Sequence, residues 1–146
     1  MAEKVVRADR RHLAEINRLI VEAKIGDPLE GLKPASYIVR RDGKVVAFAS
    51  LDFVGNEAAI LEDVVVERGY RHQRIASVLV DHCIAVARKR GIRRFALCTM
   101  YYLFRFFKRW GFITRPRKDL PDDLKNYEQF TVKRYMKCAV MVRGVA

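Results

Sequence analysis

Leu61-Glu62-Asp63-Val64-Val65-Val66-Glu67-Arg68-Gly69-Tyr70-Arg71-His72-Gln73-Arg74-Ile75-Ala76 is the stretch that decides the fold of this chain. Up to Val66 it is an apolar, β-branched run broken only by Glu62 and Asp63, the pattern of a central strand covered on both faces. A short basic loop follows. From Ile75 to Arg90 the spacing predicts an amphipathic helix, with Ile75, Leu79, Cys83 and Val86 on one stripe. A strand that feeds a loop whose amides open a helix is a ready seat for a pyrophosphate. The free N–H groups and the positive end of the helix dipole both face the anion.

Working outward, Ala58 begins the same strand after a Gly55-Asn56 turn, and Lys44–Phe53 and Tyr37–Arg40 precede it as strands around Arg41-Asp42-Gly43, a good hairpin turn. Further back, Gly26, Pro28, Gly31 and Pro34 mark an irregular connection. Before it comes a helix over 10–23, capped by Asp9, with Leu13, Ile16, Leu19 and Ile20 on one face, and a short strand over 4–7. On the other side, Arg88-Lys89-Arg90 and then Gly91 stop the helix. Arg94–Thr99 reads as a strand, Tyr102–Trp110 as an aromatic helix stopped by Gly111, and Phe112–Thr114 as the start of another strand. Residues 116–129 are polar and turn-rich, a candidate binding loop, and Phe130–Val142 closes the chain as a strand. The expected fold class is α+β: a mixed, mostly antiparallel sheet with flanking helices around a strand-loop-helix core.

The chain has 146 residues, enough for one domain with a real core, and 51% of them are hydrophobic, which argues for a globular protein rather than a disordered one. No repeat or linker divides residues 1–146, so a single domain is expected. The net charge of +12 predicts an anionic partner, and nucleic acid, an acidic membrane surface and a phosphorylated cofactor all carry the right sign. The cations are spread along the chain, which disfavours a nucleic-acid arm, and bZIP, zinc-finger and P-loop patterns are absent. No apolar run is long enough for a bilayer, and the charged segment from Met1 to Arg11 lacks a signal core, so a cytoplasmic protein is expected. Cys83, Cys98 and Cys138 are far apart and sit in apolar runs, without metal-ligand or disulfide spacing, so no metal is expected.

The order of elements and the residues at its centre resemble the GNAT superfamily of acetyl-coenzyme A-dependent N-acetyltransferases. The family's phosphate loop, Gln/Arg-x-x-Gly-x-Gly/Ala, is similar to Arg71-His72-Gln73-Arg74-Ile75-Ala76, with Arg74 where the family has glycine. The family's Phe-Tyr-x-x-x-Gly-Phe segment resembles Phe106-Phe107-Lys108-Arg109-Trp110-Gly111-Phe112, with Phe107 where a tyrosine is often proposed to protonate the leaving thiolate. Leu61-Glu62-Asp63 and the run to Val66 are similar to the corresponding strand of spermidine and glucosamine-6-phosphate acetyltransferases. The resemblance implies acetyl-coenzyme A as cosubstrate. Pantetheine would pair with the backbone of Val64, Val65 and Val66. The amides of Arg71, His72, Gln73, Arg74, Ile75 and Ala76 would take the pyrophosphate, with Ser77 as an extra donor, and Phe106 and Phe107 would flank the thioester end. Each charge-assisted contact would contribute roughly 1.5–3 kcal/mol.

Acetyl transfer to an amine needs a general base. Glu62, a carboxylate among valines, is the first candidate, acting through a water and facing with Val64 and Val66 if the strand is regular. A bulge would bring Asp63 forward instead. The competing structural role for Glu62 is an ion pair with Arg93 or Arg94. Tyr101, Tyr102, Tyr127 and Tyr135 are nearby phenols, expected to act as packing groups. The expected reaction moves an acetyl group directly to a primary amine of a small molecule: an amino acid, a polyamine or an amino sugar. The alternatives are a protein N-terminal or ribosomal-protein acetyltransferase, acting on a peptide N-terminus, and an inactive coenzyme A- or nucleic-acid-binding module. An exposed sheet edge would permit a homodimer.

Overall fold

Apolar strands joined by a tight turn at Asp42-Gly43 build the first half of the sheet in this computed structural model, which describes residues 4–145. Strand β1 (Val5–Arg7) pairs antiparallel with β2 (Ala35–Arg41), and β2 pairs antiparallel with β3 (Lys44–Val54). Asp42 and Gly43 both have positive φ, 53° and 76°, as the favoured two-residue hairpin turn requires. The remaining strands are β4 (Ala58–Val66), β5 (Arg94–Thr99), β6 (Ile113–Thr114) and β7 (Ala139–Arg143). The sheet order is β1-β2-β3-β4-β5-β7-β6, with β4 and β5 parallel from Ala58↔Arg94 to Ile60↔Ala96. β7 runs antiparallel to both β5 and β6. The expected α+β class and mostly antiparallel sheet are what the chain forms.

Five α-helices are described: α1 (Leu13–Ala23), α2 (Ile75–Lys89), α3 (Phe104–Lys108), α4 (Asp122–Lys125) and α5 (Glu128–Thr131). Asp9 caps the helical turn that leads into α1, accepting the Arg11 N–H at 2.9 Å, while His12 Nδ1 accepts the Asp9 N–H at 3.0 Å. Two orphan donors are thereby satisfied before the first turn of α1.

The chain forms two compact units. One comprises residues up to Asp52 together with Leu61–Lys89, and the other Phe53–Ile60 together with the residues from Arg90 on. In the first unit, Ile16, Leu19 and Ile20 of α1 are buried with Ile38, Val45, Phe48 and Val65. Each such side chain contributes roughly 1.5–3 kcal/mol by leaving water. Against β2 on α2's side, the His82 ring meets Tyr37 edge-on at 4.5 Å. The buried face of α2 holds Ile75, Leu79, Val80, Cys83, Ile84 and Ala87, while Val86 is only half-buried. The face is therefore broader than the one stripe of the sequence reading, as a helix on a sheet needs.

In the second unit, Ala58, Ile60, Ala96, Val140 and Val142 form a core with Leu120, Leu124 and Phe130. Residues 116–129, expected to be polar and turn-rich, form a run of short helical turns in which Leu120 and Leu124 are buried and Asp123 is held by Arg94 through bonds of 2.8 and 3.0 Å. One expectation is overturned. The last strand begins at Ala139 and not at Phe130, which belongs to α5 and meets the Tyr127 ring at a tilt, 5.2 Å away. Burying that ring anchors the turns and delays the strand.

Candidate active site

Strand β4 is not regular. Asp63 has a left-handed φ of 53°, and beyond it the neighbours Val65 and Val66 are both buried instead of alternating. Such a kink is how a strand re-aims one side chain. It removes the regular facing that would group Glu62 with Val64 and Val66.

Glu62 is committed to a partner. Its Oε2 accepts from Lys33 Nζ at 2.7 Å, and the same ammonium is 3.4 Å from Asp52 Oδ2. The sequence reading looked to Arg93 or Arg94 for this partner. Arg94 is instead taken by Asp123 at 2.8 Å and Glu57 at 3.5 Å, and the cation comes from the connection before β2. Burial works against Lys33's charge, but the Glu62 hydrogen bond and the Glu62 and Asp52 charges outweigh it and raise the lysine's pKa. Asp63 differs from its neighbour. Its carboxylate makes no hydrogen bond or ion pair among the described residues. Desolvation first, and then the Glu62 charge, push its pKa up to about 6, with Lys33 pulling the other way.

The loop after β4 is held at both ends. Arg71 Nε donates to the Val66 carbonyl at 3.0 Å, and Arg41 donates to the Gln73 side chain. His72 and Arg74 adopt left-handed φ of 67° and 63°. Arg71, His72, Gln73 and Arg74 are all exposed. The first helical bond of α2 runs from the Val78 N–H to the Arg74 carbonyl at 3.1 Å, so the amides of Ile75, Ala76 and Ser77 stand ahead of it. Beside the loop is a cavity of about 420 Å³ that reaches from Val66, Arg68 and Arg71 to Leu19 and Ala23 of α1. Glu67, at its edge, is bound by Arg18 and Lys44, each at 2.8 Å, and these cations hold its carboxyl below the usual range. A second cavity, of about 690 Å³, is lined by Arg7, Asp9, Arg10, Glu30 and Lys33 among others. It carries three cations against two carboxylates.

In the second unit Phe106, Phe107, Trp110 and Phe112 form one aromatic cluster. Phe106 meets Phe107 at 5.0 Å and Trp110 at 4.9 Å, and Phe107 meets Phe112 at 6.1 Å. Phe107 is buried there as packing. Tyr101 and Tyr102 are 74% and 66% exposed, which corrects the expectation that they fill space in a core. Lys33, Asp52 and Arg18 went unnoticed in the sequence. The one available signal was Lys33 itself, a lone cation between Gly31 and Pro34 just before a strand.

The kinked acidic part of strand β4, the basic loop and the open N-terminus of α2 thus follow one another in the first unit. The acetyltransferase (GNAT) family model matches residues 8–112, and the chain belongs to that family. A search of curated proteins gave no match. Among solved structures, the chain is similar to N-acetylglutamate synthase from Neisseria gonorrhoeae complexed with coenzyme A and N-acetyl-glutamate, at 20% identity and a TM-score of 0.77 over 100% of this chain and 36% of that one. It thus spans about a third of that protein's length. It is similar to Rv2747 from Mycobacterium tuberculosis, in complex with CoA, at 18% identity and a TM-score of 0.78 over 98% and 99% of the two chains. An aminoglycoside 6'-N-acetyltransferase complexed with coenzyme A gives 14% identity and a TM-score of 0.72 over 96% of each chain.

Proposed function

We propose that this single-domain protein, acting in the cytoplasm, moves the acetyl group of acetyl-coenzyme A directly to the primary amine of a small molecule, with an amino acid or amino sugar as the acceptor class. The amine lone pair attacks the thioester carbonyl, the C–N bond forms and the C–S bond breaks. Coenzyme A leaves as a thiolate that takes up a proton, and the amine loses one. The pyrophosphate is read at the Arg71–Ser77 loop, and pantetheine along Val64, Val65 and Val66. The base is one of the two β4 carboxylates. Asp63 is the better fit, since it is unpaired and titrates near 6, where a base exists largely ionised at neutral pH. Glu62 already holds an ammonium.

The observation that carries this reading is the kink at Asp63, which puts a desolvated carboxylate on the strand that feeds, through the basic loop, an open helix terminus at Ile75. The cavity lined by Arg7 and Arg10 supports an acceptor with an anionic group. Some solved structures of similar fold hold coenzyme A, one of them with N-acetyl-glutamate. Thiol release from acetyl-coenzyme A, followed against amino acids, amino sugars, polyamines and N-terminal peptides, tests it. Turnover with an acidic amino acid or an amino-sugar phosphate is expected. Release with peptides alone would reject the small-molecule reading.

A further inference from the structure

We propose that Lys33 is a positioning residue for acetyl transfer: its ammonium, held between Glu62 on β4 and Asp52 on β3, occupies Glu62 and leaves Asp63 to accept the acceptor's proton. The inference rests on the reading of Asp63 as the base. Two adjacent carboxylates on one strand compete for the same proton, and whichever is unpaired takes it. At 2.7 Å the Lys33–Glu62 contact is a charge-assisted hydrogen bond, whereas 3.4 Å to Asp52 is a weaker electrostatic tie. The Lys33 ammonium hydrogen-bonds Glu62 and makes no hydrogen bond to Asp63, on which it acts only through its charge.

The position of Lys33 in the chain matters as much as its charge. It stands on the connection between α1 and β2, and that connection is tied down by Asn17. The Asn17 Nδ2 donates to the Leu29 carbonyl at 2.9 Å, and its Oδ1 accepts the Leu29 N–H at 2.7 Å. Lys33 also lines the larger cavity. One side chain therefore joins the wall of a basic pocket to the acidic pair on β4. Among the described residues, the charged groups that act on Asp63 are Glu62 and Lys33, and Asp52 acts on Lys33. Without Lys33, Asp63 keeps the Glu62 charge that raises its pKa and loses the Lys33 charge that lowers it.

The test is the pH dependence of kcat/KM. The wild-type acid limb is expected near pH 6. In Lys33→Met the limb moves up by about one pH unit, with a loss of roughly threefold at pH 6.5 that is recovered by pH 8.5. Lys33→Arg restores the wild-type limb. A Lys33→Met profile that overlays the wild type, or that falls equally at every pH, overturns the proposal. If Lys33→Met does not melt cooperatively, Asp52→Asn takes its place: freeing Lys33 from Asp52 moves the limb to lower pH, and no movement overturns the proposal. Asp63→Asn separates this inference from the reading beneath it. An active Asp63→Asn enzyme removes both. An inactive one, beside a Lys33→Met profile unchanged from wild type, removes only the role of Lys33.

Discussion

Asp63→Asn should make the protein more stable while it disables the reaction. The ordinary carboxyl pKa is 3.8, and in the fold it rises to about 6. That difference of roughly two units is worth about 3 kcal/mol of preference for the neutral form. The sign follows from the direction of the shift. Asp63 favours the fold most below its unfolded pKa, near pH 4, and that contribution is lost as pH rises through about 6. At pH 8 the folded protein therefore carries the full cost of a desolvated carboxylate. Asparagine keeps the size, removes the charge and tolerates left-handed backbone such as the 53° found here. The carboxylate has no hydrogen bond among the described residues to lose. The gain expected at pH 8 is about 2–3 kcal/mol, or about 5–10 °C in melting temperature. Thermal melts of both proteins at pH 8 and pH 4 measure it, with thiol release measured in parallel. The gain should shrink to near zero at pH 4. A mutant that melts no higher than wild type at pH 8, or that keeps its whole advantage at pH 4, would show that Asp63 is not a strained, desolvated acid.

Arg74→Gly should stabilise the fold. A left-handed φ of 63° costs a residue with a Cβ about 1–2 kcal/mol, and glycine's extra unfolded-state entropy returns about 0.5–1 of it, so a net gain of about 0.5–1 kcal/mol is expected in denaturant titration; a loss would count against strain at Arg74. Glu67→Gln should cost about 1–2 kcal/mol at neutral pH by leaving Arg18 and Lys44 without their shared carboxylate. Because the Glu67 pKa is lowered, that contribution is present above the unfolded value of 4.5 and fades as pH falls through the folded one, so mutant and wild type should converge in acid melts. Arg71→Glu should weaken coenzyme A binding by roughly tenfold or more, since it reverses a charge at the loop and removes the bond to the Val66 carbonyl; calorimetry with an unchanged Kd would take Arg71 out of the site.

What the sequence made legible is what depends on local pattern. The valines of β4, the Asp42-Gly43 turn and the apolar stripe of α2 each follow from spacing within a dozen residues, and each element formed where its spacing placed it. The basic loop was readable for the same reason, because a strand, a loop and a helix in series fix the site of the orphan amides. The misses depend on distant partners. Nothing near Glu62 in the chain announces Lys33, which is 29 positions away and meets it through tertiary folding. The run from Phe130 to Val142 alternates well enough for a strand. Its first residue is taken by a core built from Leu120 and Leu124, and a core of that kind is visible only in three dimensions. The facing of Glu62 failed because one left-handed residue is enough to undo a period-two argument.

Left-handed backbone gathers in the stretch proposed as the site. Of the non-glycine residues with left-handed backbone, Asp63, His72 and Arg74 fall within one strand-loop-helix stretch, together with an unpaired, desolvated carboxylate. Each is an unfavourable local choice, and together they would unravel an isolated segment. Neighbouring contacts hold them: Arg71 bonds back to Val66, Glu67 is gripped by Arg18 and Lys44, and its own N–H donates to the Val46 carbonyl at 2.7 Å. These ties sit between the kink and the helix terminus, so the strand end and the loop cannot relax independently. A stretch that merely needed to be stable would carry glycine at 74 and no acid at 63. Retaining both features costs several kcal/mol by the values above, and under the proposed function they are the proton acceptor and the amides that would meet the anion.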